Sequence, residues 1–201
     1  MKNLTITLLT AMAIVAATDH ALGQSTFDLN KNQPFGNSWN TAADWDLISG
    51  PGPAPPVAGD TANTNGFNLR TPSSSNTFAA TLNIDAAVLL KTTGTATIAD
   101  GNLLGGGLNQ AISPNSTGTF AGNINVGASS TISLASTATD IRTMILTAVL
   151  SGTGNLTVDG GNGAGQGTLD LSTTNNAGYS GDWLLKDNAR ILLPNSGNNR
   201  L

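Results

Sequence analysis

From Phe78 onward the chain is written in short apolar stretches: TLNI, AVLL, TATIA, NINV, TISLA, MILTAVL, NLTV, TLDL, WLL and RILL, with Gly, Asn, Ser and Asp between them. Each is of strand length, rich in Thr, Ile, Val and Leu, and bounded by turn formers. That pattern admits an all-β fold and little else. Composition agrees, because Gly (24), Thr (27), Asn (23) and Ser (16) make up 90 of the 201 residues. All 12 acids are Asp and none is Glu, so the commonest carboxylate of helix surfaces is missing and the turn-favouring one stands in its place. Leu, Ile, Val and Phe still total 46 residues. With a net charge of only −4 the chain lies on the folded side of the disorder boundary, with a core poor in aromatics. Its length fits one domain.

The N-terminus points to export. Lys2 precedes an uncharged apolar run from Leu4 to Ala17, followed by Thr18-Asp19-His20 and the small residues Ala21-Leu22-Gly23. This is the layout of a secretory signal peptide over residues 1–23, and the run is short of the ~20 residues that span a bilayer. Cleavage after Gly23 puts Ala21 and Gly23 at the positions that require small side chains. Residues 24–201 then contain no His, Cys or Glu. An exported chain without Cys has no disulfide staples, so its stability must come from backbone pairing and packing. Mild acidity argues against nucleic acid and anionic membranes as partners, since both demand clustered Lys and Arg.

Residues 24–76 differ in character from the rest of the chain. They hold Trp39, Trp45 and the run PGPAPP at 51–56, and Pro at that density excludes central strands. This region reads as an irregular N-terminal cap on the repeats of 77–201. Within the repeats, FAATLNIDA (78–86) lines up with FAGNINVGA (120–128) at an offset of 42. A looser match sets residues 179–195 on 120–136 through Gly122/Gly181, Ile132/Ile191 and Leu134/Leu193. Imperfect self-similarity of strand-turn units marks a solenoid. A β-sandwich is the competing architecture, but it calls for more core aromatics and a cleaner two-residue alternation. Stacked coils suit small residues, because like residues can form Asn, Thr or aliphatic ladders at the ~4.8 Å strand spacing. The repeat region has room for five or six coils of ~20–25 residues.

Residues 148–193 resemble the autotransporter-associated β-strand repeat of bacterial surface and secreted proteins. The residues that carry the resemblance are Ser151-Gly152-Thr153-Gly154, Leu156-Thr157, Gly167-Thr168-Leu169-Asp170-Leu171, Asn175-Asn176 and Tyr179-Ser180-Gly181. The pattern departs from the family after Tyr-Ser-Gly, where Asp182 and Trp183 replace the usual Gly and Thr. Trp39 to Trp45 (WNTAADW) and Gly59-Asp60-Thr61-Ala62 are similar to the opening of large exported proteins of the same bacterial groups. The resemblance implies a right-handed parallel β-helix with no catalytic residues to transfer. It also implies continuation past Leu201 into a barrel or sorting tail, so the chain is expected to be a C-terminally truncated or a released passenger.

The inventory of reactive groups leads to the same expectation. Carboxylate-pair hydrolysis would rest on Asp44/Asp46, Asp159/Asp170 or Asp182/Asp187, residues that serve equally as turn and capping groups. Ser nucleophiles lack a His base, and a zinc site lacks its ligands. Lys91, Arg142, Lys186 and Arg190 remain as bases, but nothing groups them with acids in a set that would hold a metal. GGNGAGQG at 160–167 fits neither a dinucleotide fingerprint nor a calcium-binding nonapeptide, and reads as a turn. Trp39 and Trp45 are expected to plug the end of the core. Tyr179 and Trp183 are candidates for stacking on sugar rings. The expectation is a non-catalytic, exported structural or adhesive segment without a cofactor, with surface glycans or other cell-surface proteins as partners and no membrane insertion. A carbohydrate-active or glycan-binding β-helix is the alternative.

Overall fold

A computed structural model describes residues 24–134, 141–161, 165–172 and 175–193. The signal-peptide reading of residues 1–23, the middle of the Gly-rich stretch and the tail beyond Leu193 lie outside these residues. In chain order the strands are β1 (Thr26–Leu29), β2 (Trp45–Ser49), β3 (Thr61–Asn63), β4 (Leu69–Arg70), β5 (Asn76–Ile84) and β6 (Ala87–Leu90). Next come β7 (Thr95–Leu103), β8 (Gly107–Gln110), β9 (Thr117–Val126), β10 (Ser130–Ser133), β11 (Arg142–Leu146) and β12 (Val149–Gly152). The last are β13 (Leu156–Asp159), β14 (Gly167–Asp170), β15 (Asn175–Tyr179), β16 (Trp183–Lys186) and β17 (Ala189–Leu192). A single 3-10 turn, Ala42–Asp44, is the only helical element among the described residues.

The strands stack as a parallel β-solenoid of about five turns. One sheet runs β17-β14-β11-β9-β7-β5-β3-β1-β2, and the other β16-β13-β10-β8-β6-β4. β9 is long enough to pair with β11 through its first half and with β12 through its second. Each middle coil therefore presents three stacked segments. In the six-stranded sheet the spacing of stacked residues lengthens along the chain: Leu69 to its partner Val88 is 19 positions, and Val158 to its partner Leu185 is 27.

Alternation at period 2 turns one side of each strand inward. Leu69, Val88, Leu108, Ile132 and Val158 stand in register on consecutive coils and are buried. Ile84, Leu103 and Val126 make a second aliphatic column. Burying each such side chain is worth roughly 1.5–3 kcal/mol, and stacking like on like keeps the coils in register. On the outside of the central segment the expected asparagine ladder is present. Asn63 Nδ2 donates to Asp28 Oδ1 (2.7 Å), Asn83 to Asn63 (2.8 Å), Asn102 to Asn83 (2.9 Å) and Asn125 to Asn102 (3.3 Å). Every amide donates toward the N-terminal end, where the Asp28 carboxylate closes the series. Thr117, Thr143 and Thr168 stack likewise.

Parallel stacking starts before residue 77. β1, β3 and β4 already occupy the two sheets, so the sequence-based boundary between cap and repeats falls inside the solenoid. These strands have two to four residues, too short to stand out among the prolines. Among the described strands only β2 runs antiparallel, along the edge of β1. Trp39 and Trp45 are buried against Phe78, with ring centroids at 5.5 and 5.8 Å. Their indole N–H groups donate to Asn76 Oδ1 (2.9 Å) and to the Trp39 carbonyl (3.0 Å), which satisfies the polar edges of both rings.

Candidate functional site

The aspartates singled out from sequence are occupied in holding the chain. Asp44 is fully buried, paired with Lys31 at 2.9 Å, and accepts hydrogen bonds from Asn37 (2.8 Å) and Gln33 (3.2 Å). Asp46 accepts from Asn30 on the opposite side of the same hairpin. Asp170 accepts from the Ser172 N–H in a local turn. Asp159 and Asp187 both lie beside Lys186, at 2.9 and 3.4 Å. Burial pushes the Asp159 carboxyl up, but hydrogen bonding and charge from Lys186, with the Gly161 N–H and Asp187, outweigh it and hold the pKa below the ordinary value. The same contacts raise the pKa of Lys186. Asp182 contributes its carbonyl, which sits beside the Tyr179 hydroxyl. No group of three potential metal ligands gathers among the described residues.

The repeat-like residues find a structural explanation. Gly152 pairs with Val126 on the preceding coil and with Tyr179 on the next. Ser151-Gly152-Thr153-Gly154 and Tyr179-Ser180-Gly181 are thus the same corner on consecutive coils. Gly152 has φ +95°, and a Cβ there would lie 2.4 Å from the Val126 carbonyl. A Cβ on Gly154 would meet the Ala128 carbonyl at 2.5 Å, and one on Gly181 the Gly154 carbonyl at 2.0 Å. The corners stack so closely that only glycine fits. Leu156, Leu169 and Leu171 are buried in the core, and Gly167 opens β14. Tyr179 and Trp183 are half-buried and meet edge to face at 5.4 Å. The Tyr179 hydroxyl also lies 3.0 Å from the Gly154 carbonyl, which ties this pair to the preceding coil.

A groove that sequence reasoning missed lies elsewhere. Three successive corners, 70–73, 91–93 and 111–113, stack beside the loop 35–38, and together they enclose about 570 Å³. Arg70 projects from the end of β4 with its guanidinium 5.6 Å from the centre of the Phe35 ring, and that ring is 93% exposed. Lys91, one corner on, donates from Nζ to the Ala111 carbonyl at 2.5 Å. Burial, then the charges of Arg70 and Arg142, lower the Lys91 pKa. Neither Arg70 nor Lys91 has a carboxylate partner among the described residues. Arg142 adds a third cation nearby, bonded to the Gln110 carbonyl at 3.1 Å. The signal was available in the spacing: Arg70 and Lys91 are 21 residues apart, about one coil, in a chain with only eight basic residues. It becomes visible only once the coil length is known.

No known family model, curated protein or solved structure matches the chain.

Proposed function

We propose that the chain is a non-catalytic structural or adhesive β-helix segment of an exported bacterial protein, related to the autotransporter-associated repeats and carried to the cell surface or medium by a cleavable signal peptide over residues 1–23. The observation that carries this reading is the continuity of the stacking. From β3 to β17 each described strand pairs in parallel with the strand one coil away, and Asp28, Asp44, Asp159, Asp170 and Asp187 serve turns, ladders and ion pairs, with Asp159 and Asp187 sharing the Lys186 ammonium. A surface of this kind offers shape and repetition, which suits a spacer or an adhesive face.

The Ser-Gly-x-Gly and Tyr-Ser-Gly corners lend the family assignment its support, because a repeat motif must recur at the same place in consecutive coils. The test has two arms. The full chain is expressed in a bacterial host, the exported product is sequenced from its N-terminus, and whole cells are treated with protease. Purified protein is then incubated with a broad glycan panel. The reading predicts a mature product beginning at Gln24, protease-accessible or secreted, with no glycan turned over. Retention of residues 1–23 inside the cell overturns export. Catalytic turnover of a glycan moves the protein to the carbohydrate-active class.

A further inference from the structure

We propose that the groove over Arg70 and Lys91 binds an acidic polysaccharide, a chain of sugars with regularly repeating carboxylate or sulfate groups, and that Phe35 forms its stacking platform. The inference deepens the adhesive reading by naming a site and a ligand class; the scaffold role does not depend on it.

Three observations converge on this ligand. The first is uncompensated charge. In a chain of net charge −4, Lys31 and Lys186 are paired with aspartates, whereas Arg70 and Lys91 face the groove without a carboxylate partner among the described residues. Partial burial makes an approaching anion more valuable there than at a free surface, because the screening is weaker. The Lys91 pKa is lowered by burial and by its cationic neighbours, and a bound anion would relieve that strain on its charge.

The second observation is direction. The groove crosses consecutive corners and so runs along the solenoid axis, where strands recur at ~4.8 Å. That step is close to the advance of an extended sugar chain per residue, so charges on successive coils can meet charges on successive sugars. An isolated phosphate would engage one corner and leave the rest of the groove vacant. The third is composition. Phe35 presents its face beside Arg70, while the exposed Ser73, Thr93 and Ser113 line the groove with hydroxyls. An aromatic face, hydroxyl donors and acceptors, and a few fixed charges are what sugar rings with acidic substituents require. A duplex nucleic acid would ask for a longer basic track than two or three residues.

The test uses the full chain and measures binding by calorimetry at low and moderate salt. The probes are polygalacturonate, a sulfated galactan, a neutral galactan, inorganic sulfate and duplex DNA. The variants are Arg70→Gln/Lys91→Gln, Phe35→Ala, and Arg190→Gln as a control that removes a positive charge on the last coil. Thermal melts confirm that each variant is folded. Saturable binding of at least one acidic glycan is expected, weakened by salt and absent for the neutral galactan. It should fall at least about tenfold in the double variant and severalfold in Phe35→Ala, and remain unchanged in Arg190→Gln. The two acidic probes distinguish carboxylate from sulfate. Four results overturn the proposal: no acidic glycan bound, binding that survives the double variant, equal loss in Arg190→Gln, or DNA or free sulfate bound as tightly as the polymer. None of these touches the folded scaffold, which the melts report separately.

Discussion

Replacing Asn83 by alanine removes the middle rung of the asparagine ladder. Two hydrogen bonds are lost at once, the 2.8 Å bond that Asn83 donates to Asn63 and the 2.9 Å bond it accepts from Asn102. A hydrogen bond contributes about 0.5–1.5 kcal/mol net. The ladder is half-exposed, so water can recover part of the loss at the Asn63 oxygen and the Asn102 amide. That places Asn83→Ala at about 1–2 kcal/mol. Asn125 sits near the C-terminal end of the ladder, more exposed and with longer bonds of 3.3 and 3.5 Å, so Asn125→Ala should cost about half as much or less. Asn109 supplies the control: it faces outward on β8, stacks on Leu89, and makes no ladder. Asn109→Ala should stay within about 0.5 kcal/mol. Urea unfolding followed by circular dichroism measures all three, compared at equal slope so that the midpoints report stability alone. Equal shifts for Asn83→Ala and Asn109→Ala would refute the ladder as a source of stability, and Asn125→Ala costing more than Asn83→Ala would refute the ranking by bond length and exposure.

Gly122 has φ +106°, and a Cβ there would fall 1.7 Å from the Ile98 carbonyl oxygen. Gly122→Ala should therefore destabilise by about 3–5 kcal/mol, whereas Gly105→Ala, at a similar φ with open space around it, should cost only about 1–2 kcal/mol in the same urea assay. Trp39→Ala removes a fully buried ring from the N-terminal packing and should cost about 3–5 kcal/mol, read as a shift of the unfolding midpoint. The Asp159–Lys186 pair fixes a pH window. Asp159 is depressed, so its contribution is present above the ordinary carboxylate range and is lost as pH falls through its lower folded value. Lys186 is raised, so its contribution is complete below about pH 10 and is lost as pH climbs through its higher folded value. NMR shifts of β13 and β16 between pH 2 and 7 should report loosening at the acid end, and Asp159→Asn should reduce that change, leaving the contribution of Asp187.

Much of the fold was legible because its signals are local. TLNI, AVLL, NINV and NLTV fall in or overlap β5, β6, β9 and β13, since each pairs turn formers with a β-branched or aliphatic run. The 42-residue offset between 78–86 and 120–128 equals two coils for Leu82, Gly101 and Ile124, which stack in register. The middle coil escaped comparison because Gly101 replaces the aliphatic residue there, with the Ile124 side chain filling the space. The looser alignment of 179–195 on 120–136 does not correspond to stacking. Ile132 pairs with Val158 in one sheet and Ile191 with Leu169 in the other. Coils of unequal length defeat a fixed period, and for the same reason the groove at Arg70 and Lys91 was hidden. Side chains distant in sequence become neighbours only through the register, and register is a property of the whole stack. On the last described coil Leu184, Leu185, Leu192 and Leu193 are each at least 38% exposed.

The central claim is parallel, coil-on-coil register, and interstrand nuclear Overhauser effects measure it directly. Antiparallel neighbours bring facing α-protons close together and give strong α–α signals, while parallel neighbours do not. The account predicts strong α–α signals between β1 and β2, where Phe27 faces Leu47 and Leu29 faces Trp45. From β5 to β16 it predicts only the weaker parallel pattern, linking Val88 to Leu108, Leu108 to Ile132 and Ile132 to Val158. Strong α–α signals between strands adjacent in sequence anywhere in that stretch would mean hairpins, and the solenoid account would be contradicted.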